Sequence, residues 1–242
     1  MKSVAIAIII TFLIFAGCFE KEEGIAMIYE GVEVKWLGHA SFIIKSGDLT
    51  IATDPYNISD HNDRADLILI THSHYDHCDP ESVKKLKKDN TVIVTTKDCA
   101  DKLTELGGDI RFMAPGDTLN IMGVSITALP AYNIDKNFHP KENGWLGFVI
   151  NINGVNIYQA GDTDKIPEMS KLQNIDIALL PVGGTYTMNE TEAAEAAVEI
   201  KPKIVIPMHY GSIGLTANLT LFKQRVAAGD PNIKVEILEP SA

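Results

Sequence analysis

The sequence has few cysteines and little positive charge, and each shortage excludes a class of protein. Its 242 residues include three cysteines, which are too few for a disulfide framework. Lysine and arginine number 21 against 32 aspartates and glutamates, which gives a formal net charge of −11. Because phosphate contacts need a positive surface, we expect no binding of nucleic acid. The signatures Gly-x-Ser-x-Gly and Gly-x-x-x-x-Gly-Lys are also absent, which argues against a serine nucleophile and a phosphate-binding loop.

No apolar run in the sequence reaches the roughly 20 residues that a membrane-spanning helix needs. The run at residues 4–15 has twelve residues, all but one of them apolar, and it follows a single positive charge at Lys2. This pattern is typical of a secretory signal peptide. The run leads into Phe15-Ala16-Gly17-Cys18, which resembles a lipobox except that Phe15 stands where an aliphatic residue is usual.

We therefore predict a lipoprotein-type signal peptide at residues 1–17 and lipid modification of Cys18. Residues 18–24 would form a charged tether, and the exported protein would be anchored to the outer face of the cell membrane. An uncleaved N-terminal anchor and a cytoplasmic location are the alternatives.

Residues 25–242 have the composition of one α/β domain, and no linker rich in proline, glycine or serine divides them. Asp79 as N-cap and Pro80 at the first helical position predict the start of a helix. Strands with helices between them indicate sheets covered by helices. Helices are expected at residues 80–88, 97–106, 191–200 and 216–228. Apolar patterns predict strands at residues 31–36, 41–45, 49–53, 67–70, 91–95, 110–113, 118–129, 146–152, 155–159, 175–180, 204–206 and 233–238.

A histidine-rich segment follows the predicted strand at residues 67–70. It places His72, His74, Asp76 and His77 within six residues. Ligands bind where the strands of an open α/β sheet end, and alternation projects His72 and His74 the same way. Imidazole suits Zn, Fe and Mn, and a carboxylate adds a harder ligand. The segment therefore predicts a metal site.

The pattern His-x-His-x-Asp-His resembles the signature of the metallo-β-lactamase superfamily, and three more elements agree with it in order. Asp54 matches the early aspartate, Asp162 in Gly161-Asp162-Thr163 matches the aspartate that bridges two metals, and His209 matches the last histidine ligand. The resemblance implies an αβ/βα four-layer sandwich. It also implies that one or two divalent ions, Zn or Mn, are bound, with Asp54 holding a ligating histidine from behind. The implied ligands are His72, His74, Asp76, His77, Asp162 and His209.

A second segment, Trp36-Leu37-Gly38-His39-Ala40-Ser41-Phe42, looks like the Gly-His-Ala-Ser segment of one branch of that superfamily. The branch includes ascorbate-6-phosphate lactonase and the phospholipase D that acts on N-acyl phosphatidylethanolamines. The resemblance places His39 at or just behind the metals, and we predict that His39 is catalytic. A turn histidine bonded to the backbone is the alternative.

The chain departs from the family where another histidine ligand is expected. Residues 129–133 read Leu-Pro-Ala-Tyr-Asn, and Asn133 occupies the expected position. An amide oxygen is a poor ligand for Zn beside imidazole. His139, six residues later, could be recruited instead, could contact substrate, or could be an exposed loop residue. We predict either a two-metal site with His139 recruited or one tightly and one weakly bound metal.

The chemistry that the resemblance implies is attack by a metal-bound hydroxide on a small-molecule lactone, ester or phosphodiester. Asp76 would orient the hydroxide or accept a proton. Two alternatives remain at this point. One is a redox use of the same site with iron. The other, to which Asn133 would point, is a non-catalytic metal- or ligand-binding lipoprotein that keeps the fold.

Overall fold

The computed structural model describes residues 24–59 and 62–241. The predicted signal peptide at residues 1–17, the predicted lipidation site Cys18 and all of the predicted tether except Gly24 lie outside the described residues. Within the part that is described, no helix is both long enough and apolar enough to cross a bilayer.

The described residues form two seven-stranded sheets, and in each of them the strands lie side by side in chain order. The first four strands of the first sheet are antiparallel and the last three continue it in parallel. Two short α-helices connect its parallel strands, α1 (Pro80–Leu86) and α2 (Ala100–Leu103). The strands are β1 (Ala26–Tyr29), β2 (Val32–Gly38), β3 (Ser41–Ser46), β4 (Leu49–Thr53), β5 (Ala65–Leu69), β6 (Lys87–Thr95) and β7 (Asp109–Phe112).

The second sheet repeats this topology. Its first four strands are antiparallel, the next three are parallel, and α3 (Glu190–Ile200) and α4 (Leu219–Gly229) follow the strands as crossover helices. Two 3₁₀ segments, Lys141–Asn143 and Pro167–Lys171, lie in its loops. The strands are β8 (Thr118–Ile121), β9 (Val124–Pro130), β10 (Leu146–Ile152), β11 (Val155–Gln159), β12 (Ile177–Pro181), β13 (Ile204–Met208) and β14 (Lys234–Val235).

The main core lies between the two sheets. It joins side chains such as Phe42 and Leu67 of the first sheet to Phe148 and Ile157 of the second. A second apolar cluster packs Val83, Leu86 and Leu103 of α1 and α2 against the other face of the first sheet. On the second sheet, α3 contacts β12 and packs against α4. The expectation of an α/β sandwich built on two sheets is therefore confirmed.

Local sequence explains where the principal helices begin. Asp79 accepts a hydrogen bond from the backbone N of Glu81, and Pro80 occupies the first helical position, as predicted for α1. In α3, Asn189 and Glu192 form a capping box, in which each side chain bonds to the other residue's backbone N–H.

Three segments differ most from the sequence prediction. The strand expected at residues 118–129 is a hairpin, because Met122 and Gly123 both take positive φ values (51° and 81°) and turn the chain between β8 and β9. The helix expected at residues 97–106 is divided into α2 and two flanking 3₁₀ segments. β1 was not predicted from the sequence, and it pairs with β2 at the sheet edge.

Candidate metal centre

The alternation of strand directions brings six loops to one edge of the sandwich. β2 and β4 run in the same direction because each is antiparallel to β3, and β5 is parallel to β4. By the same reasoning, β9, β11 and β13 run in one direction in the second sheet. The carboxyl ends of strands in open α/β sheets are where ligand sites form. The residues that follow these ends are His39, Asp54, His72 to His77, Asn133 to His139, Asp162 and His209.

Six of the seven histidines of the sequence meet at this edge. The seventh, His61, lies outside the described residues. Among residues 24–59 and 62–241, three groups of side chains hold their potential ligand atoms within 4.8 Å of one another. They are His72, His74 and His139; His72, His77 and Asp162; and His39, Asp76, His77 and His209.

Asp162 lies between the two ends of this cluster. Its Oδ2 is 3.1 Å from His139 Nε2 and 3.0 Å from His209 Nε2, and its Oδ1 is 3.3 Å from His77 Nε2. One buried carboxylate thus faces histidines of both groups. Burial alone would raise the pKa of Asp162, but His209 and His77 outweigh that effect and hold the pKa well below its usual range.

Several buried atoms of the cluster have no hydrogen-bond partner in the described part of the chain. They are Nε2 of His77, Nε2 of His139, Oδ1 of Asp162 and both ring nitrogens of His209. Buried polar atoms are nearly always hydrogen-bonded, so five such atoms within one cluster need an explanation. Imidazole nitrogens with a carboxylate oxygen are a donor set that suits a divalent transition-metal ion. The residues present therefore fit a metal ion.

His72 and His74, which lie against Trp145, carry no charge at neutral pH. Burial lowers the pKa of His72 and His74, so both rings are uncharged at neutral pH. The Trp145 ring lies 4.8 Å from His72 and 4.7 Å from His74 between centroids, and its Nε1 donates to Asp98. This indole covers one side of the histidine pair.

Asp54 is the buried hub behind the cluster. Its Oδ1 accepts from the backbone N of Thr71 at 2.7 Å, and its Oδ2 accepts from Thr71 Oγ1 at 2.9 Å and from Gln159 Nε2 at 3.0 Å. The same Oδ2 lies 3.0 Å from His77 Nδ1. With Nδ1–H bonded to Asp54, the other nitrogen of His77 is left facing Asp162. A carboxylate behind a ligating histidine fixes its ring and its tautomer in this way.

Asn133 holds His139 in place. Its Oδ1 accepts from the backbone N of His139 at 2.9 Å and lies 3.1 Å from His139 Nδ1. Its Nδ2 donates to Asp164 Oδ1 and to the carbonyl of Tyr186. Both polar atoms of Asn133 are therefore used within the surrounding loops. The Nε2 of the buried His139 is left facing Asp162, at the place where the sequence lacked a histidine.

At the opposite side of the cluster, His39 connects Asp76 to Ser212. His39 Nε2 is 3.0 Å from Asp76 Oδ2, and Ser212 Oγ is 2.7 Å from His39 Nδ1. Burial lowers the pKa of His39 to about 4, although the hydrogen bond to Asp76 opposes this. Burial alone would raise the pKa of Asp76, but the bond to His39 and the proximity of His77 outweigh it and bring the pKa to about 2.

Ser212 and Gln159 were missed by the sequence analysis. The segment Gly211-Ser212-Ile213-Gly214 does not match Gly-x-Ser-x-Gly, but the position of Ser212 three residues after His209 is a signal that could have identified it. Gln159 ends the strand that precedes Asp162, but nothing local in the sequence indicates that it reaches Asp54 across the two sheets. Cys78, next to His77, packs in the apolar cluster beneath the first sheet.

The backbone at the site is strained in three places. His39, Asp54 and His209 have positive φ values of 52°, 39° and 61°. Non-glycine residues rarely adopt this region, and such residues concentrate at functional sites. The carbonyl of His39 accepts from the backbone N of His209, which ties the two sheets together across the cluster.

Glycines permit the close approach of the chain beside Asp162 and His209. A Cβ at Gly161 would lie 2.4 Å from the carbonyl oxygen of Leu146, and a Cβ at Gly183 would lie 2.3 Å from that of His209. No side chain can be accommodated at either position without movement of the backbone next to Asp162 or His209.

A family model described as a beta-lactamase superfamily domain matches residues 33–209. The chain is 38% identical over 223 residues to a UPF0173 metal-dependent hydrolase of Thermococcus onnurineus, a match that covers 86% of this chain and 97% of the relative. It is 36% identical over 226 residues to the corresponding protein of Pyrococcus abyssi, with 86% and 97% covered.

Solved structures give the same result. The fold is similar to that of a protein of Parabacteroides distasonis described as a metal-dependent hydrolase, with a TM-score of 0.75 and 33% identity over 87% of this chain and 94% of the other. It is also similar to Igni18, a metallo hydrolase of Ignicoccus hospitalis, with a TM-score of 0.72 and 27% identity over 87% and 96% of the two chains.

Proposed function

We propose that this protein cleaves a lactone, carboxylic ester or phosphodiester of a small molecule. The chain belongs to the metallo-β-lactamase superfamily and, within it, to the UPF0173 metal-dependent hydrolase family. It is therefore a metal-dependent hydrolase. The observation that carries the proposal is the convergence on the carboxylate of Asp162 of three buried histidine nitrogens that have no hydrogen-bond partner. The Gly-His-Ala-Ser segment at residues 38–41 supports a relation to the branch that contains ascorbate-6-phosphate lactonase and the N-acyl phosphatidylethanolamine phospholipase D.

We propose that two divalent ions, Zn or Mn, share the centre, with Asp162 between them. His72, His74 and His139 would hold one ion, and Asp76, His77 and His209 would hold the other. When bound, such ions lower the pKa of water and stabilise negative charge on the attacked oxygen. In this arrangement His139 supplies the ligand nitrogen that Asn133 lacks. The presence of Asn133 is then no longer an argument for a non-catalytic binding protein.

The protein's own groups then orient the water and move its proton. Asp76, whose low pKa keeps it ionised at neutral pH, accepts that proton at a carboxylate oxygen. His39 bonds to Asp76 through Nε2, and a hydroxyl proton donated by Ser212 to Nδ1 keeps the hydrogen of His39 on Nε2. Thus His39 positions Asp76, and Ser212 selects the tautomer of His39.

Metal content tests the ligand set. We expect two ions per chain in the wild type by elemental analysis, and a smaller content in His139→Ala. Asn137→Ala is the matched control, because Asn137 is exposed in the same loop. If His139→Ala retains the full metal content, His139 is not a ligand.

Turnover tests the activity. The purified protein is assayed on bis-p-nitrophenyl phosphate, p-nitrophenyl esters and a lactone panel, with Zn or Mn added. We expect turnover of at least one class that is lost after chelation, restored by one of the two metals, and lost in His209→Ala. Full metal occupancy without turnover on any class would contradict the proposed reaction.

We also propose that the protein is an exported lipoprotein, anchored through Cys18. The support is the positive start, the apolar run and the small residues before Cys18. Mass spectrometry of the N-terminus should show cleavage after Gly17 and a lipid on Cys18 in the wild type, whereas Cys18→Ala should carry no lipid and retain residues 1–17. An unmodified full-length chain in the soluble fraction would refute the anchor.

A further inference from the structure

A cavity of about 230 Å³ opens directly onto the candidate metal centre. His74, Asp76, His139 and Asp162 line it, and its other lining residues are Tyr75, Phe138, Tyr186 and Ile213. Pockets for drug-sized ligands usually measure about 300–1,000 Å³. This cavity is therefore suited to a small molecule, or to one short group of a larger one.

The part of the cavity away from the metal centre is aromatic and aliphatic. The rings of Phe138 and Tyr186 meet edge to face, with centroids 4.7 Å apart. Tyr75 and Phe138 are 62% and 46% exposed. Large apolar side chains that gather at a cavity mouth mark a binding site more often than a structural need. Phe138 also precedes His139, so one loop supplies both a candidate metal ligand and the apolar lining.

The cavity also lacks a cation for a charged substrate group. Among residues 24–59 and 62–241, no lysine or arginine lines it. Lys136 lies two residues before Phe138, but its Nζ forms an ion pair with Oδ1 of the buried Asp164 at 2.5 Å. The chain as a whole carries a net charge of −11, which disfavours the approach of anions. A second anionic group on the substrate would be desolvated in the cavity without a partner, at a large cost.

We propose that the substrate group next to the scissile bond is short, uncharged and apolar, an alkyl or aryl group, and that Phe138 and Tyr186 determine this specificity. The proposal rests on the proposed function, since it takes the metal centre as the place where the bond is cleaved. It separates this protein from hydrolases whose substrates carry an additional phosphate or carboxylate away from the reacting bond.

Hydroxamic acids with one metal-binding group and different tails test the proposal without turnover. Acetohydroxamic acid, butanohydroxamic acid and succinic monohydroxamic acid are titrated calorimetrically into the metal-loaded protein. The last two have the same chain length and differ in a terminal carboxylate. We expect butanohydroxamic acid to bind about 10-fold more tightly than acetohydroxamic acid, because its two additional methylene groups would be removed from water in the apolar part of the cavity. Succinic monohydroxamic acid should bind at least about 10-fold more weakly than butanohydroxamic acid.

Two variants assign the effect to the cavity. Phe138→Ala should reduce the preference for butanohydroxamic over acetohydroxamic acid to about threefold or less. Phe112→Ala is the matched control, because Phe112 is 43% exposed but lies on β7, outside this cavity. It should leave the preference unchanged. Thermal unfolding of both variants checks that each remains folded.

The outcomes separate the two proposals. Binding of succinic monohydroxamic acid as tight as that of butanohydroxamic acid would overturn the apolar specificity and leave the metal centre standing. Loss of the preference in Phe112→Ala as large as in Phe138→Ala would overturn the assignment to Phe138. If none of the three hydroxamic acids binds to protein of measured metal content, both the metal centre as reaction site and the specificity are wrong.

Discussion

Asp54 supports the candidate metal centre through His77 and does not line the substrate cavity. Its replacement by asparagine therefore tests this support without changing the cavity. The carboxylate is fully buried and accepts hydrogen bonds from Thr71 N, Thr71 Oγ1, Gln159 Nε2 and His77 Nδ1. An amide of the same shape has one oxygen and one NH₂ group. Whichever way it is oriented, at least one of these donors then faces another donor.

The structure indicates the orientation and the size of the effect. With the amide oxygen at the Oδ2 position, three bonds survive and only the one from Thr71 N is lost. One unsatisfied buried donor costs about 1–3 kcal/mol, and we expect Asp54→Asn to lower the free energy of unfolding by that amount. Loss of the carboxylate behind His77 should also weaken metal binding by about 10–100-fold.

Two measurements and one control test this prediction. Urea unfolding of the metal-free protein gives the stability change, and competition with a chelator gives the metal affinity. Asp176→Asn is the control, because Asp176 is also buried and accepts from the backbone N of Asn156 at 2.8 Å, but it lies outside the groups that form the metal centre. Asp176→Asn should lose stability and keep its metal affinity. Unchanged metal affinity in Asp54→Asn would refute the role of Asp54.

Three further predictions follow from the same geometry. Gly183→Ala should reduce the metal content measured by elemental analysis, because the new Cβ would lie 2.3 Å from the carbonyl oxygen of His209; full content would contradict this. Asn133→Ala should weaken metal binding about 10–100-fold in chelator competition, since His139 loses the oxygen that fixes its ring, and an unchanged affinity would refute that role. Burial alone would lower the pKa of His77, but two nearby carboxylates outweigh it and raise the pKa well above its ordinary value. A metal must then displace this proton, so the apparent affinity should increase with pH; calorimetry at pH 7 in buffers of different ionisation enthalpy should show proton release, and its absence would contradict the prediction.

Local pattern was sufficient to predict most of the fold. The strands that became β3, β4, β10 and β11 are each short apolar segments between turn residues, so their existence depends on neighbours in the sequence. The hairpin between β8 and β9 was missed because the turn residue Met122 reads as apolar, although it adopts positive φ beside Gly123.

The candidate metal centre could be predicted only in part, because only some of its contacts are between neighbours in the sequence. His72, His74, Asp76 and His77 are adjacent in sequence, and their spacing is itself the signal. The orientation of His139 depends on Asn133, Asp164 and Tyr186, which come together only when the loops of the second sheet have folded. Contacts of this range leave no periodic trace in the sequence.

The lining of the cavity shows the same limit. Phe138 and Tyr186 are 48 positions apart, and their edge-to-face contact follows from the packing of two loops. Neither residue belongs to the histidine pattern, so a sequence motif could identify the reaction centre but not the group that binds beside it.

Anomalous X-ray diffraction at the absorption edge of the bound metal tests the proposed centre most directly. Two peaks are predicted, one contacted by His72, His74 and His139 and the other by Asp76, His77 and His209, with Asp162 contacting both. A single peak, or a map in which His139 Nε2 points away from the metal, would contradict the two-metal centre and the replacement of the missing histidine by His139.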